Sequence, residues 1–213
     1  VVFKHQARLT NWSGTEFDVA IRRSIELLDR DAIGEQLGEG LPETVEAVAY
    51  RSDNKLTNSG EKAWTREGGL LSIWLLGMYP PTQGTTVAIP FKPGSEEEMG
   101  PKVNDKYFGP IPEDFLKVEE DRLFFRGDGT RRGKLGIAPQ RSKGVAGSYQ
   151  EEGKILNLVF FSEPETAQPY VNSMWEHQSE PYAGDVINSY NDGSPGPGLA
   201  PLGPFYEIET SSP

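Results

Sequence analysis

VVFKHQARLTNWSGTEFDVAI, residues 1–21, sets the pattern from which the fold is read. Phe3, His5, Ala7 and Leu9 alternate with Lys4, Gln6, Arg8 and Thr10. A period of two places each set on its own face of an extended chain, which is the signature of a half-buried strand. Asn11-Trp12-Ser13-Gly14 follows with turn residues, and Phe17, Val19 and Ile21 resume the alternation. Asn tolerates left-handed backbone and Gly has no Cβ to clash, so this stretch reads as a corner between antiparallel strands.

The corner has a counterpart further on. Leu9-Thr10-Asn11 precedes Ser13-Gly14, and Leu56-Thr57-Asn58 precedes Ser59-Gly60. Between them, Ile21 to Leu28 fits both strand and helix spacing, Asp31 to Leu37 forms one short helix stopped by Gly38, and Val45, Ala47 and Ala49 alternate as a strand. Leu70 to Met78 is nearly all apolar, as expected of a strand covered on both faces. Further strands are expected at Thr85 to Phe91, Leu123 to Phe125, Leu135 to Ile137, Ile155 to Phe161, Val171 to His177, Val186 to Tyr190 and Phe205 to Thr210. Pro93 to Asn104 reads as a polar loop. Ser194 to Pro204, with four prolines, is a strap that neither a helix nor a central strand accommodates.

Composition agrees with many short strands. The 213 residues carry 24 Gly and 17 Pro, punctuation that favours tight turns over long helices. The expectation is one all-β domain over residues 1–213, an antiparallel β-sandwich. Val1 is not Met and already lies in a strand, so the chain is expected to be an incomplete portion of a longer protein lacking an N-terminal segment.

Charge and residue counts exclude several classes. A net charge of −11 repels a phosphate backbone, so no nucleic-acid partner is expected. The longest apolar run ends at Pro80-Pro81 and is too short for a helical membrane span. The absence of Cys removes disulfides, thiolate metal sites and cysteine nucleophiles, and two His cannot build a multi-histidine metal centre. No phosphate-binding glycine loop, nucleophile elbow or strong metal-ligand spacing is present, so neither a cofactor nor a metal is expected.

WLLGMYPPTQGTTVAIPF at 74–91, NKLTNSGEKAW at 54–64 and GPFYEIETSSP at 203–213 carry a family likeness, as does YNDG at 190–193. Together they resemble an uncharacterised family of bacterial proteins related to the galactose mutarotase-like group. That resemblance implies a β-supersandwich, often exported to the periplasm or outside the cell, that acts on or binds carbohydrate. Aldose mutarotases move protons around the anomeric centre with histidines and a glutamate, and their histidine motifs have no match here.

Four clusters are candidates for chemistry. In Met174-Trp175-Glu176-His177-Gln178, Trp175 offers a stacking platform for a sugar and His177 a proton shuttle; the same residues also suit a structural Trp beside a solvated His. Tyr190, Asn191 and Asp192 offer a ring and oxygen atoms for hydroxyl groups, though Asn-Asp-Gly is first of all a turn. Glu207 and Glu209 point the same way in a strand, about 7 Å apart, a spacing that suits divided acid and base roles as well as an ordinary solvated sheet. Arg131 and Arg132, with Lys134, Arg141 and Lys143, form a basic stretch that would receive an anionic sugar or simply be solvated. Under the carbohydrate reading, His177 and Glu207 handle protons, while Trp175, Tyr190, Asn191, Asp192, Arg131 and Arg132 bind the ligand. The alternative is a non-catalytic glycan-binding or structural module.

Overall fold

The structure is a computed structural model and describes residues 1–162 and 168–213. It consists mostly of antiparallel β-sheet, in three sheets, with two short helices. The chain divides into two compact units, Val1–Leu71 and Ser72–Pro213.

The first unit is a three-stranded meander of β1 (Val2–Thr10), β2 (Glu16–Leu28) and β3 (Ala49–Asn58), with β2 in the centre. The corner after β1 follows from its side chains. Asn11 Oδ1 accepts from Thr15 N at 2.9 Å, Gly14 N donates to Asn11 O at 3.0 Å, and Gly14 takes a φ of 83°. The second stretch turns in the same way, Asn58 Oδ1 accepting from Gly60 N at 3.0 Å, but it joins no two strands, because no strand follows β3 in this unit. Ile21 to Leu28, ambiguous by spacing, is strand because β3 pairs with it from Ile21 through Leu28 and β1 pairs with it as far as Ser24. Helix α1 (Arg30–Leu37) starts where Asp29 caps Ala32 N and stops at left-handed Gly38. Residues 45–48, expected as strand, are irregular: Val45 N donates to Pro42 O in a turn, and β3 begins only at Ala49. Phe17 and Val19 are buried here, with Trp64 edge-on to Phe17.

The second unit is a two-layer sandwich. One layer has the order β10-β9-β5-β7-β6 and the other β4-β12-β11-β8. The strands of the first are β5 (Thr85–Pro90), β6 (Leu116–Val118), β7 (Arg122–Arg126), β9 (Val145–Gln150) and β10 (Ile155–Phe160). Those of the second are β4 (Trp74–Tyr79), β8 (Gly133–Ile137), β11 (Ile187–Asn191) and β12 (Tyr206–Ser211). Val87, Ile89, Leu123 and Phe125 of one layer share a buried core with Leu135, Ile137, Ile187, Tyr206 and Ile208 of the other. A polar pin crosses it: Tyr206 Oη and Ser148 Oγ are 2.7 Å apart, and Asn157 Nδ2 donates to both at 3.2 Å.

Three sequence expectations change in this unit. The apolar run 70–78 yields only β4, an edge strand whose Trp74, Leu76 and Met78 are exposed on one face rather than covered on both. Residues 171–177 form no strand. Asn172 N donates to Pro181 O and the Asn172 side chain accepts from Met174 N, so these groups are committed locally and not to a ladder. The loop 93–104 contains a one-turn helix, α2 (Glu96–Met99), capped by Ser95. The strap 194–204 is free of helix and strand, as Pro dictates.

Candidate functional site

Strand β12 sorts its side chains by parity. Tyr206 and Ile208 enter the sandwich core, so Glu207 and Glu209 face the other way. Register then fixes their neighbours. Lys134, Tyr190, Glu207 and Met78 stand in one row across the four-stranded layer; Gly136, Asn188, Glu209 and Leu76 form the next; Trp74 lies opposite Ser211 in a third. At the β8 and β11 side, loop residues Tyr107 and Phe108 pack over the rows. Lys134 Nζ lies 5.1 Å from the Tyr107 ring centre, and Phe108 is edge-on to Tyr190. At the β4 side the face opens, with Trp74, Leu76 and Met78 exposed.

Glu209 anchors the site by its hydrogen bonds. It is 1% exposed; its Oε2 accepts from Lys134 Nζ at 2.7 Å and from Trp74 Nε1 at 2.9 Å. Glu207, one step along the strand and 7% exposed, is pushed up to about 7. Burial is the largest cause, followed by the Glu209 charge and a carboxyl–carboxylate hydrogen bond with Glu209; Lys134 opposes the shift and Asp192 adds to it. Two carboxyls sharing one nearby cation retain a proton between them near neutrality.

A second polar knot adjoins Lys134. Buried Asp185 accepts at Oδ2 from Tyr107 Oη at 2.7 Å and from Asn104 Nδ2 at 2.9 Å, and Asn188 Nδ2 donates to Tyr107 Oη at 2.9 Å. Burial raises the Asp185 pKa, while the bonds from Tyr107 and Asn104 and the Lys134 charge pull it back. Tyr107 is pushed above the ordinary phenol range by burial and by Asp185. A Cβ at Gly136 would overlap the Asp185 carboxylate, so only glycine leaves room for the knot.

The structure brings some of the sequence candidates together. Glu207 and Tyr190 are cross-strand neighbours. Tyr190 Oη donates to Asp192 Oδ1 at 2.8 Å, and burial with that bond pushes Tyr190 up to about 12. Asp192 Oδ2 also accepts from Gly203 N at 2.8 Å, which fastens the strap to this end of the site. The Arg132 guanidinium stacks 3.8 Å over the Phe108 ring, beside Tyr190.

Other candidates lie elsewhere. Asn191 opposes Tyr206 and so faces away from Glu207. Its amide holds a turn, donating to Arg131 O and Asp128 Oδ1 and accepting from Gly129 N. Arg131 offers that carbonyl, and its guanidinium is 5.8 Å from the Phe115 ring centre. Trp175 is 90% exposed and lines a depression together with Trp74. His177 is exposed in the same loop segment and does not line that depression. Arg141, grouped by sequence with the basic loop, is wholly buried and donates to the carbonyls of Lys92, Gly94, Ser95 and Gly100.

Sequence reasoning placed Lys134 in a basic stretch that would receive an anionic sugar or be solvated, and gave no role to Trp74, Asp185 or Asn188. The signals were a lone Lys inside the apolar strand GKLGI and the Trp74-x-Leu76-x-Met78 alternation in an apolar run. Among the described residues no group of three or more His, Asp or Glu is placed to hold a metal.

The fold and site define an all-β sandwich protein with a coupled carboxyl pair on the outward face of its four-stranded layer. The chain belongs to a family of unknown function, DUF6786, whose model matches residues 1–213. No curated protein and no solved structure matches the chain.

Proposed function

We propose that the chain binds carbohydrate on the outward face of the four-stranded layer and transfers a proton at a sugar carbon or its anomeric oxygen. The observation that supports this reading is the Glu207–Glu209–Lys134 arrangement beside exposed Trp74. A pyranose needs an apolar platform, hydroxyl-binding groups and a group that exchanges protons near neutral pH. Trp74 supplies the first. Arg132 lies at the second, beside the buried Tyr190–Asp192 pair. Glu207 is the third, held beside Glu209, whose Oε2 accepts from Lys134 and Trp74.

In the reaction, Glu207 takes a proton from a sugar carbon and returns it once the intermediate has turned over, or passes it to the leaving oxygen of an elimination; in mutarotation it takes the anomeric hydroxyl proton and gives one to the ring oxygen as the C1–O5 bond breaks. Mutarotation, epimerisation and elimination share the proton removal by Glu207. Arg132 at the strap end favours a sugar bearing an anionic group. The test incubates the protein in D₂O with a panel of free aldoses, uronates and unsaturable uronoside oligomers, followed by proton NMR. Exchange, anomer interconversion or elimination that Glu207→Gln abolishes supports the proposal. Binding without any turnover makes the chain a glycan-binding module instead, and no binding at all overturns the carbohydrate reading.

A further inference from the structure

Ser211, Glu209 and Glu207 succeed one another on the same face of β12, at steps of about 7 Å. Glu207 and Glu209 are the carboxyl pair. Ser211 belongs to an open depression of about 330 Å³ whose walls include Trp74, Ser173, Met174 and Trp175. That volume is at the lower end for ligand sites, which run to roughly 300–1,000 Å³. Its lining combines two indoles with hydroxyls, a surface suited to a hydroxylated ring with one apolar face. Trp74 is common to both stations: its Nε1 donates to Glu209 while its ring, 41% exposed, walls the depression. A single sugar over the carboxyl pair would leave the depression unfilled and Trp175, 90% exposed, without purpose.

We infer that the depression between Trp74 and Trp175 is a second sugar subsite, and that the ligand is an oligosaccharide or glycan chain rather than a free monosaccharide. This rests on the carbohydrate reading and adds a length requirement to it. One unit sits at Glu207, and a later unit of the same chain stacks against the indoles beyond Ser211, about 14 Å along the strand. Trp175 is then a binding residue only, since nothing places it against the carboxyls.

The test titrates the intact chain by calorimetry with ladders of one to six units derived from cellulose, xylan, mannan, galactan and polygalacturonate. Affinity for the preferred series should rise at least about tenfold between one unit and two or three, then level off. Trp175→Ala should remove that rise and leave the thermal midpoint unchanged, and Trp175→Phe should restore much of it. Affinity independent of chain length, or a rise that survives Trp175→Ala, overturns the second subsite while monosaccharide binding that depends on Glu207 leaves the proposed function standing. Failure of every ladder and every monosaccharide to bind defeats both.

Discussion

Glu207 ties the site to pH with a definite sign. Its carboxyl is raised from an ordinary 4.5 to about 7, so the folded chain holds a proton that the unfolded chain releases. Its contribution to stability is complete below about 4.5 and is lost as pH rises through about 7. Urea unfolding at intervals between pH 4.5 and 8 should show this decline, and Glu207→Gln should flatten it. Lys134 yields a complementary prediction. Lys134→Met strips from buried Glu209 the cation paired with it at 2.7 Å and should cost about 3–5 kcal/mol, whereas Lys134→Met with Glu209→Leu removes both charges and should recover most of the loss. A double-mutant cycle by chemical denaturation measures both.

How much of the site was legible also divides at the residue level. Parity alone put Glu207 and Glu209 on one face, because it needs only a strand. Asn191 failed the same rule only because its strand partner, Tyr206, could not be known to face the core. Lys134, Asp185 and Tyr107 come from three separate segments, and their meeting depends on strand order and loop packing that local spacing does not encode.

At the scale of elements, period-two alternation found most strands that keep one apolar face and missed β6 and β9. The sequence of β9, VAGSYQ, is small and polar because β10 crowds it: a Cβ on Gly147 would come within 2.7 Å of Asn157 O. Gly147→Val should therefore break the β9–β10 pairing, read as lost amide-exchange protection in residues 155–160. The 171–177 segment misled in the opposite sense, since its apolar content serves a looped wall, not a ladder. Arg141 shows how such loops are held. Its guanidinium, wholly buried, satisfies four carbonyls of residues 92–100. Arg141→Ala should cost at least about 3 kcal/mol by leaving them unpaired, and Arg141→Lys should recover little because one ammonium cannot span the set. Thermal unfolding of the two variants checks this.

Across the whole molecule, opposing acid groups set separate pH windows. Asp128 lies below its ordinary 3.8. Burial acts against that shift and is outweighed by bonds from Thr130 and Asn191 and by the Arg126 charge. Its contribution is present above about 3.8 and is lost as pH falls further, so Asp128→Asn should remove part of the acid-limb loss of stability. The proton held at Glu207 has a calorimetric consequence. At pH 6 the unfolded chain ionises Glu207 and the folded chain does not, so unfolding hands about one proton to the buffer. The heat absorbed must then include the buffer's own protonation enthalpy. Scans at pH 6 in cacodylate, which protonates with little heat, and in histidine, which protonates with much, should differ by nearly one buffer enthalpy for the native chain more than for Glu207→Gln.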